Sequence, residues 1–404
     1  MDRWLSIVGI GEDGLDGLSA EARALLDNAE VLAGGSRHLA MVPGDGRERL
    51  TWCQPVSAYV AEVLARRGRR VCVLATGDPL HHGIGVLFAE KVEMSEMTIH
   101  PAPSAFSLAG SRMGWSRTQV ATLTLHGRPA ALLARHIQPG ARLLILGDGP
   151  DTPSQVAEAL TGRGFGDSTI TVLEHMGGPR ERRLDGVARS WEAPDIAQLN
   201  TIAVSCIADP VAKLLPTNPG LPDEAFRHDG QITKREVRAV TLAALAPVPG
   251  QLLWDVGAGS GAVAIEWMRC HGSCRAIAVE RNSQRIANIT ENAATLGTPH
   301  LAIVEGEVPA ALAGLAPPDA VFVGGGLSDP GVVAACWDHL AAGGRLVANA
   351  VTLEGEQALM ALHAEHGGGL TRLEISRAQG IGRIGRLTGW KPFRPVTQWA
   401  VTKP

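Results

Sequence analysis

Leu252-Leu-Trp-Asp-Val-Gly-Ala-Gly-Ser-Gly-Ala-Val-Ala-Ile265 is the stretch whose reading decides the fold. It opens on a short apolar run, Leu252 to Val256, the pattern of a strand buried on both faces. Gly257, Gly259 and Gly261 follow at every second position, where they let the chain turn sharply and a ligand approach bare backbone. Ala262 to Met268 then reads as a helix whose unpaired N-terminal N–H groups face whatever lies above the loop. Working outward, Cys274 to Glu280 is a second strand with Glu280 at its tip. Leu301 to Glu307 is a third, Asp319 to Val323 a fourth running into Gly324-Gly-Gly326, and Arg345 to Ala350 a fifth. Helical segments fall between them. Such alternation predicts a parallel α/β sheet with its ligand above the strand C-termini. Leu370 to Ser376 and Pro395 to Val401 add two late strands.

Two kinds of ligand suit this loop. Gly257-x-Gly259-x-x-Ala262, with Glu280 at a plausible ribose distance, fits the loose dinucleotide fingerprint. Asp255-x-Gly257-x-Gly259-x-Gly261 resembles the first motif of the class I S-adenosylmethionine (SAM) methyltransferases. SAM carries an ammonium and a sulfonium but no pyrophosphate, so a carboxylate at the strand end suits it and would repel a dinucleotide. The resemblance implies cofactor contacts from Asp255, Gly257, Gly259, Gly261 and Glu280, with Glu280 accepting from ribose hydroxyls and Gly306 and Glu307 beside the adenine. It also implies a closing hairpin from the two late strands.

The chain has 404 residues, which favours two or three domains. A net charge of −4 gives no global pull toward nucleic acid, and one Tyr and six Phe leave few stacking platforms for bases. Of the cysteines only Cys270 and Cys274 lie close in sequence, which predicts free thiols and no metal site. There is no secretory pattern and no apolar run of membrane-spanning length. These readings predict a soluble cytoplasmic protein.

The first half is also α/β. Trp4 to Gly9, Val31 to Gly35, Arg70 to Ala75, Arg142 to Asp148, Thr169 to Glu174 and Thr201 to Ser205 read as strands. Ser19 caps a helix over 20–28, and another helix runs from about Ser104 to Met113. Val8-Gly-Ile-Gly11, Thr76-Gly-Asp-Pro79, Pro101-Ala-Pro-Ser-Ala105, His126-Gly-Arg128 and Thr152-Pro153 together resemble the tetrapyrrole methylase family over residues 3 to 208. That family folds as two α/β lobes with SAM between them. The resemblance implies a split near 115–120 and contacts from Gly9, Gly77, Asp78, Ser104 and Ala105. The first loop departs from the family: Gly11-Glu12-Asp13-Gly14 stands where many relatives have Gly-Pro-Gly. Asp78 reads equally as a turn cap. His81 and His82 are candidates for an acid or base, or are solvated loop residues.

Pro210, Pro216, Pro219, Gly220 and Pro222 mark a linker, so the expected domains are 1–208 and 225–404, with 209–224 between. Thr233 looks like an N-cap, with Glu236 completing a capping box. Asp229-Gly-Gln-Ile-Thr-Lys-Arg-Glu236, Trp254 to Gly261, Phe322-Val-Gly-Gly-Gly326 and Ala348-Asn-Ala-Val-Thr-Leu-Glu354 resemble the decarboxylating precorrin methyltransferases of cobalamin synthesis. This implies a class I (Rossmann-like) methyltransferase domain. Thr233, Lys234, Arg238 and Gly325 would then lie beside a polycarboxylate macrocycle, and Lys234, Asn349 and Thr352 are catalytic candidates. The tail 377–394 reads as a cationic loop joining the two late strands. Arg383 and Arg386 in it could clamp carboxylates bidentately. Together the resemblances imply SAM-dependent methylation of a precorrin at carbons 5 and 15, with loss of CO2 from the acetate on carbon 12. They also imply two SAM sites per chain and a homo-oligomer. The rivals are an NAD-linked reductase and a single-site methyltransferase whose N-terminal domain only docks substrate.

Overall fold

The computed structural model describes residues 3–193, 195–381 and 387–404 and divides into two compact units, 1–130 with 136–213 and 131–135 with 214–404. No helix among the described residues is long and apolar enough to cross a membrane.

The first unit holds two sheets. Strands β1 (Leu5–Ile10), β2 (Val31–Gly34), β3 (Glu48–Thr51), β4 (Val71–Thr76) and β5 (Met97–His100) pair all-parallel in the order β3-β2-β4-β1-β5. The first helix, Ala20–Asp27, is capped as expected: the Ser19 hydroxyl accepts from the Ala22 N–H. Helix Ala105–Met113 ends at Gly114 in the left-handed region, and the second sheet begins at Ala121. That sheet comprises β6 (Ala121–Thr124), β7 (Arg142–Leu146), β8 (Thr169–Glu174), β9 (Arg182–Val187) and β10 (Asn200–Ser205), in the order β6-β7-β10-β8-β9. Only the β6–β7 pair is parallel. Phe106 and Ala109 of the helix pack on Leu144, Leu173 and Ala203 of this sheet, so the element that follows the first lobe is buried against the second.

The second unit is organised by one seven-stranded sheet. Its strands are β11 (Leu252–Val256), β12 (Arg275–Glu280), β13 (Ala302–Glu305), β14 (Ala320–Val323), β15 (Arg345–Ala350), β16 (Gly369–Leu373) and, entering last, the strand Val396–Thr402. Between β16 and that last strand the chain makes a separate two-stranded ribbon, β17 (Ser376–Ile381) with β18 (Leu387–Pro392), so the last strand is β19. The sheet order is β13-β12-β11-β14-β15-β19-β16, with β19 antiparallel to both neighbours and the rest parallel. All five residues of β11 are buried. Leu253 and Phe322 face one apolar layer, Trp254 and Val321 the other.

Three expectations change here. The tail 377–394 is not a loop: its described residues form most of a β-ribbon. Thr233 is not an N-cap, because the helix begins at Arg235 with Lys234 as its cap and no side chain caps it. Leu221, inside the Pro-rich stretch, is fully buried in the second unit's core.

Candidate functional site

A cleft of about 1000 Å³ opens above the C-terminal ends of β11, β12 and β14, at the upper end of the range for small-molecule sites. Its floor is the glycine loop. Gly257, Gly259 and Gly261 all take positive φ, +70°, +59° and +73°. Their roles differ. A Cβ on Gly257 would stand 3.1 Å from the Gly325 nitrogen, and one on Gly261 2.9 Å from Ile289 Cγ2, so these two glycines allow packing. A Cβ on Gly259 would meet nothing nearer than the Gln231 carbonyl oxygen at 3.8 Å, so Gly259 keeps the cleft itself open. Gly325 lines the cleft with open space where its side chain would be.

Glu280, only 5 % exposed, forms part of the wall. Its Oε2 accepts from the Gly259 N–H at 2.8 Å, and its Oε1 from the Arg281 and Asn282 N–H groups, each at 3.0 Å. The carboxylate is thereby fixed in direction before any ligand arrives. Gly306 and Glu307 line the same cleft, and Glu307 pairs with Arg281 at 2.8 Å.

Asp255 is placed otherwise than expected. It is 1 % exposed and does not line the cleft. Its Oδ2 accepts from the Ala264 N–H at 3.0 Å, which anchors the first turn of the helix after the loop. Burial, with a further push from the charge of Glu280, raises its carboxyl to about 7, although the Ala264 bond opposes the shift. A carboxyl in this position shapes the loop from beneath.

The substrate candidates divide. Thr233, Lys234 and Asn349 line the cleft. Asn349 sits in a polar network: its Nδ2 donates to Thr241 Oγ1 at 2.9 Å, and Gln398 Nε2 donates to Asn349 Oδ1 at 3.0 Å. Arg238 does not reach the cleft. Its side chain is fully buried, with Nε donating to Glu266 Oε1 at 2.6 Å and Nη1 to Asp223 Oδ1 at 3.2 Å. It belongs to the core of the unit. Thr352 also lies off the cleft and caps helix Leu353–His366 by accepting from the Gly355 N–H. Arg383 and Arg386 lie outside the described residues. Phe393 and Arg394, which follow β18, line the cleft, as does Val351. Phe393 was not among the candidates: two aromatics, Trp390 and Phe393, in a cationic tail carry no periodic signal.

In the first unit a much smaller cavity, about 50 Å³, lies between the lobes. Gly77 and Ala105 line it. Gly9 instead packs backbone on backbone, since a Cβ there would stand 1.9 Å from the Gly77 carbonyl oxygen. Ser104 caps helix Ala105–Met113, and Asp78 accepts from the Leu80 N–H as a turn cap. His81 packs its ring 4.7 Å from that of Phe106, and desolvation followed by the nearby Arg117 holds it below the ordinary histidine range. His82 takes φ +59° and is lowered by desolvation, then by His81 and Arg128. Across the cavity a charged bridge joins the lobes: Glu12 bonds His175 Nδ1 at 2.7 Å and pairs with Arg37. Burial works to raise the Glu12 carboxyl, but His175 and Arg37 bring it below the ordinary range. His175 takes φ +46°, which costs a residue with a Cβ about 1–3 kcal/mol and marks a constrained site. Glu12, Arg37 and His175 were not candidates. The Glu12 departure in the first loop was the available signal. A cavity of this size does not hold SAM as it stands.

In the second unit the sheet order, the glycine loop, the acidic strand tip and the antiparallel strand beside β15 define a class I SAM-dependent methyltransferase. Residues 224–403 match the family model described as "Precorrin methyltransferase domain", and residues 5–191 the model for "Tetrapyrrole (Corrin/Porphyrin) Methylases". The "Precorrin-6Y C(5,15)-methyltransferase [decarboxylating]" of a Sinorhizobium species is 48% identical over 404 residues, 99% of this chain and 96% of that one. A "Cobalt-precorrin-7 C(5)-methyltransferase" of Salmonella typhimurium is 31% identical over 44% of this chain and 88% of its own. A "Probable cobalt-precorrin-6B C(15)-methyltransferase (decarboxylating)" of Pyrobaculum calidifontis is 35% identical over 45% of this chain and 96% of its own. The chain belongs to the precorrin-6Y C(5,15)-methyltransferase (decarboxylating) family. It is a SAM-dependent methyltransferase, and the dinucleotide reading of the glycine loop falls away.

Proposed function

We propose that this chain methylates a precorrin macrocycle at carbons 5 and 15 and removes CO2 from the acetate on carbon 12, with one SAM site in each unit. The second unit takes carbon 15 and the decarboxylation, and the first takes carbon 5. The observation that carries the reading is the cleft above β11, β12 and β14, where Gly259 leaves space beside a Glu280 already oriented by three N–H groups. Relatives named for one of the two methylations, the C(15) one with decarboxylation, match 44% and 45% of this chain, which supports two separable sites.

SAM supplies an electrophilic methyl group. The chain's own task is then to align it with the substrate carbon. Meso carbons of a reduced tetrapyrrole are enamine-like nucleophiles, so alignment matters more than a strong base. Gly257, Gly259, Glu280, Gly306 and Glu307 are proposed to hold the cofactor in the second unit, with Gly261 packing the loop on Ile289 beneath them. Lys234, Thr233, Asn349 and Gly325 are proposed to face the macrocycle. In the first unit Gly77 and Ala105 are proposed to hold the cofactor once the lobes separate.

Calorimetry on the full chain tests the count, and two SAM sites of different affinity are expected. Incubation with SAM and precorrin should add two methyl groups and release one CO2 per macrocycle. Gly259→Val, which puts a branched side chain into the open space at a positive φ, should abolish one site, the carbon 15 methyl and the CO2 together. A single SAM site in the unsubstituted chain would favour a first unit that only docks substrate.

A further inference from the structure

Phe393 stands at the cleft next to the start of β19, and its position is held from two sides. Its N–H donates to the Ile375 carbonyl at 2.8 Å, which closes the base of the β17–β18 ribbon. The Arg377 guanidinium lies 4.9 Å from its ring centre. Arg377 is itself seated: Nη2 bonds Glu236 Oε2 at 2.6 Å and pairs with the buried Asp223 at 3.4 Å. Glu236 is in the first turn of helix Arg235–Leu245, two residues after cleft-lining Lys234. The ring therefore shares the cleft with Val351 and Val396; the cations lining the same cleft are Lys234, Arg281, Arg285 and Arg394, of which Arg281 pairs with Glu307 and Arg285 with Asp229.

We propose that Phe393, positioned by Arg377, is the surface against which the carboxylate that leaves as CO2 is held, while Lys234 and Arg394 take carboxylates that remain. The inference rests on the function proposed above. When the arm decarboxylates, the bond between its methylene carbon and the carboxylate carbon breaks. The electron pair passes into the conjugated iminium that methylation of carbon 15 leaves in the macrocycle. CO2 departs, and a proton from water ends on the methylene carbon. The carboxylate is charged before this step and neutral after it. An ion pair with Lys or Arg stabilises only the starting state and slows the step, whereas an apolar wall strips water from the carboxylate and favours its loss. A cleft that must bind several carboxylates and discharge one of them therefore needs no unpaired cation at that one, and Arg377 beside the ring is already paired with Glu236 and Asp223.

The test uses the full chain with SAM and precorrin carrying 13C carboxylates, and reads CO2 released per methyl added at carbon 15. The unsubstituted chain comes first: no CO2 from it refutes the proposed function and leaves Phe393 out of the matter. Phe393→Gln supplies a donor to the carboxylate and should lower the ratio about tenfold, the effect of one charge-assisted hydrogen bond. Phe393→Leu should keep the ratio. Arg377→Leu, which unseats the ring, should lower it as well. Ratios in Phe393→Gln and Arg377→Leu equal to that of the unsubstituted chain overturn the proposal. So does a Phe393→Gln chain that binds SAM and transfers no methyl at carbon 15, since the ring is assigned to the arm and not to the methyl.

Discussion

Arg238→Ala separates a core role for this residue from a substrate role. The guanidinium donates to Glu266, Asp223 and the carbonyls of Leu221 and Thr233, and lies 4.8 Å from the Phe226 ring centre. The side chain is fully buried, and that of Glu266 is 2 % exposed. Truncation leaves Glu266 with the Gly220 and Leu221 N–H groups but no counter-charge, and Asp223 with only the longer pair to Arg377. Breaking a buried pair by removing one partner typically costs about 3–5 kcal/mol. In a unit of roughly 200 residues each kcal/mol lowers Tm by about 2–4 °C, so the second unit should melt about 6–20 °C lower. Differential scanning calorimetry of the full chain reads this, and precorrin affinity measured well below the transition should be unchanged. An unshifted transition together with lost precorrin affinity would refute the burial argument and return Arg238 to the substrate.

Glu280→Ala should weaken SAM binding to the second unit by roughly 10- to 150-fold, from the loss of one charge-assisted acceptor worth about 1.5–3 kcal/mol; an unchanged Kd in calorimetry would remove Glu280 from the cofactor. Glu12→Gln should speed SAM binding to the first unit in stopped-flow, because the bridge to Arg37 and His175 then ties the lobes less firmly. Slower binding would instead mean that Glu12 touches the cofactor. Asp255 makes stability depend on pH. Its folded carboxyl sits at about 7 against 3.8 when unfolded, so between those values the folded chain holds a proton that the unfolded chain has lost. Its contribution to stability therefore falls as pH rises through that window and is level above it. In Asp255→Asn that slope disappears, so the Tm of the variant relative to the unsubstituted chain should climb across the window; a flat difference would show that Asp255 is ionised in the fold.

The central strands could be read from the sequence because they are buried on both faces and show as apolar runs. In the three large sheets the strands that escaped notice, β3, β5 and β9, are all edges. Glu48-Arg-Leu-Thr51 and Arg182-Arg-Leu-Asp-Gly-Val187 carry charges of the kind that protect an edge from pairing further, which hides them from an apolar pattern. The glycine loop and Glu280 were legible because both act through local backbone geometry. Arg238 was misread through its charge. Periodicity held the better signal: residues 238, 241, 242 and 245 form one buried helical stripe, and Arg238 is its first member. Glu236 was misread because its partner, Arg377, lies 141 residues away, beyond the reach of any capping rule.

With one SAM in each unit, as proposed, the two sites would differ in how much of their order exists before a ligand binds. In the second unit Gly259 is open and Glu280 is pinned by three backbone donors, so little conformational freedom remains to be lost on binding. In the first unit Glu12 of one lobe, paired with Arg37 of the same lobe, bonds His175 of the other beside a cavity of about 50 Å³, so the SAM proposed there would have to part that bridge to enter. The free energy of opening is subtracted from whatever the cofactor gains there, and its apparent affinity falls by the fraction of open molecules. Equal intrinsic contacts would thus still give unequal sites, with the second unit filling first. The order of filling would then be set by Glu12, the departure in the first loop, and His175, which lies in the other lobe.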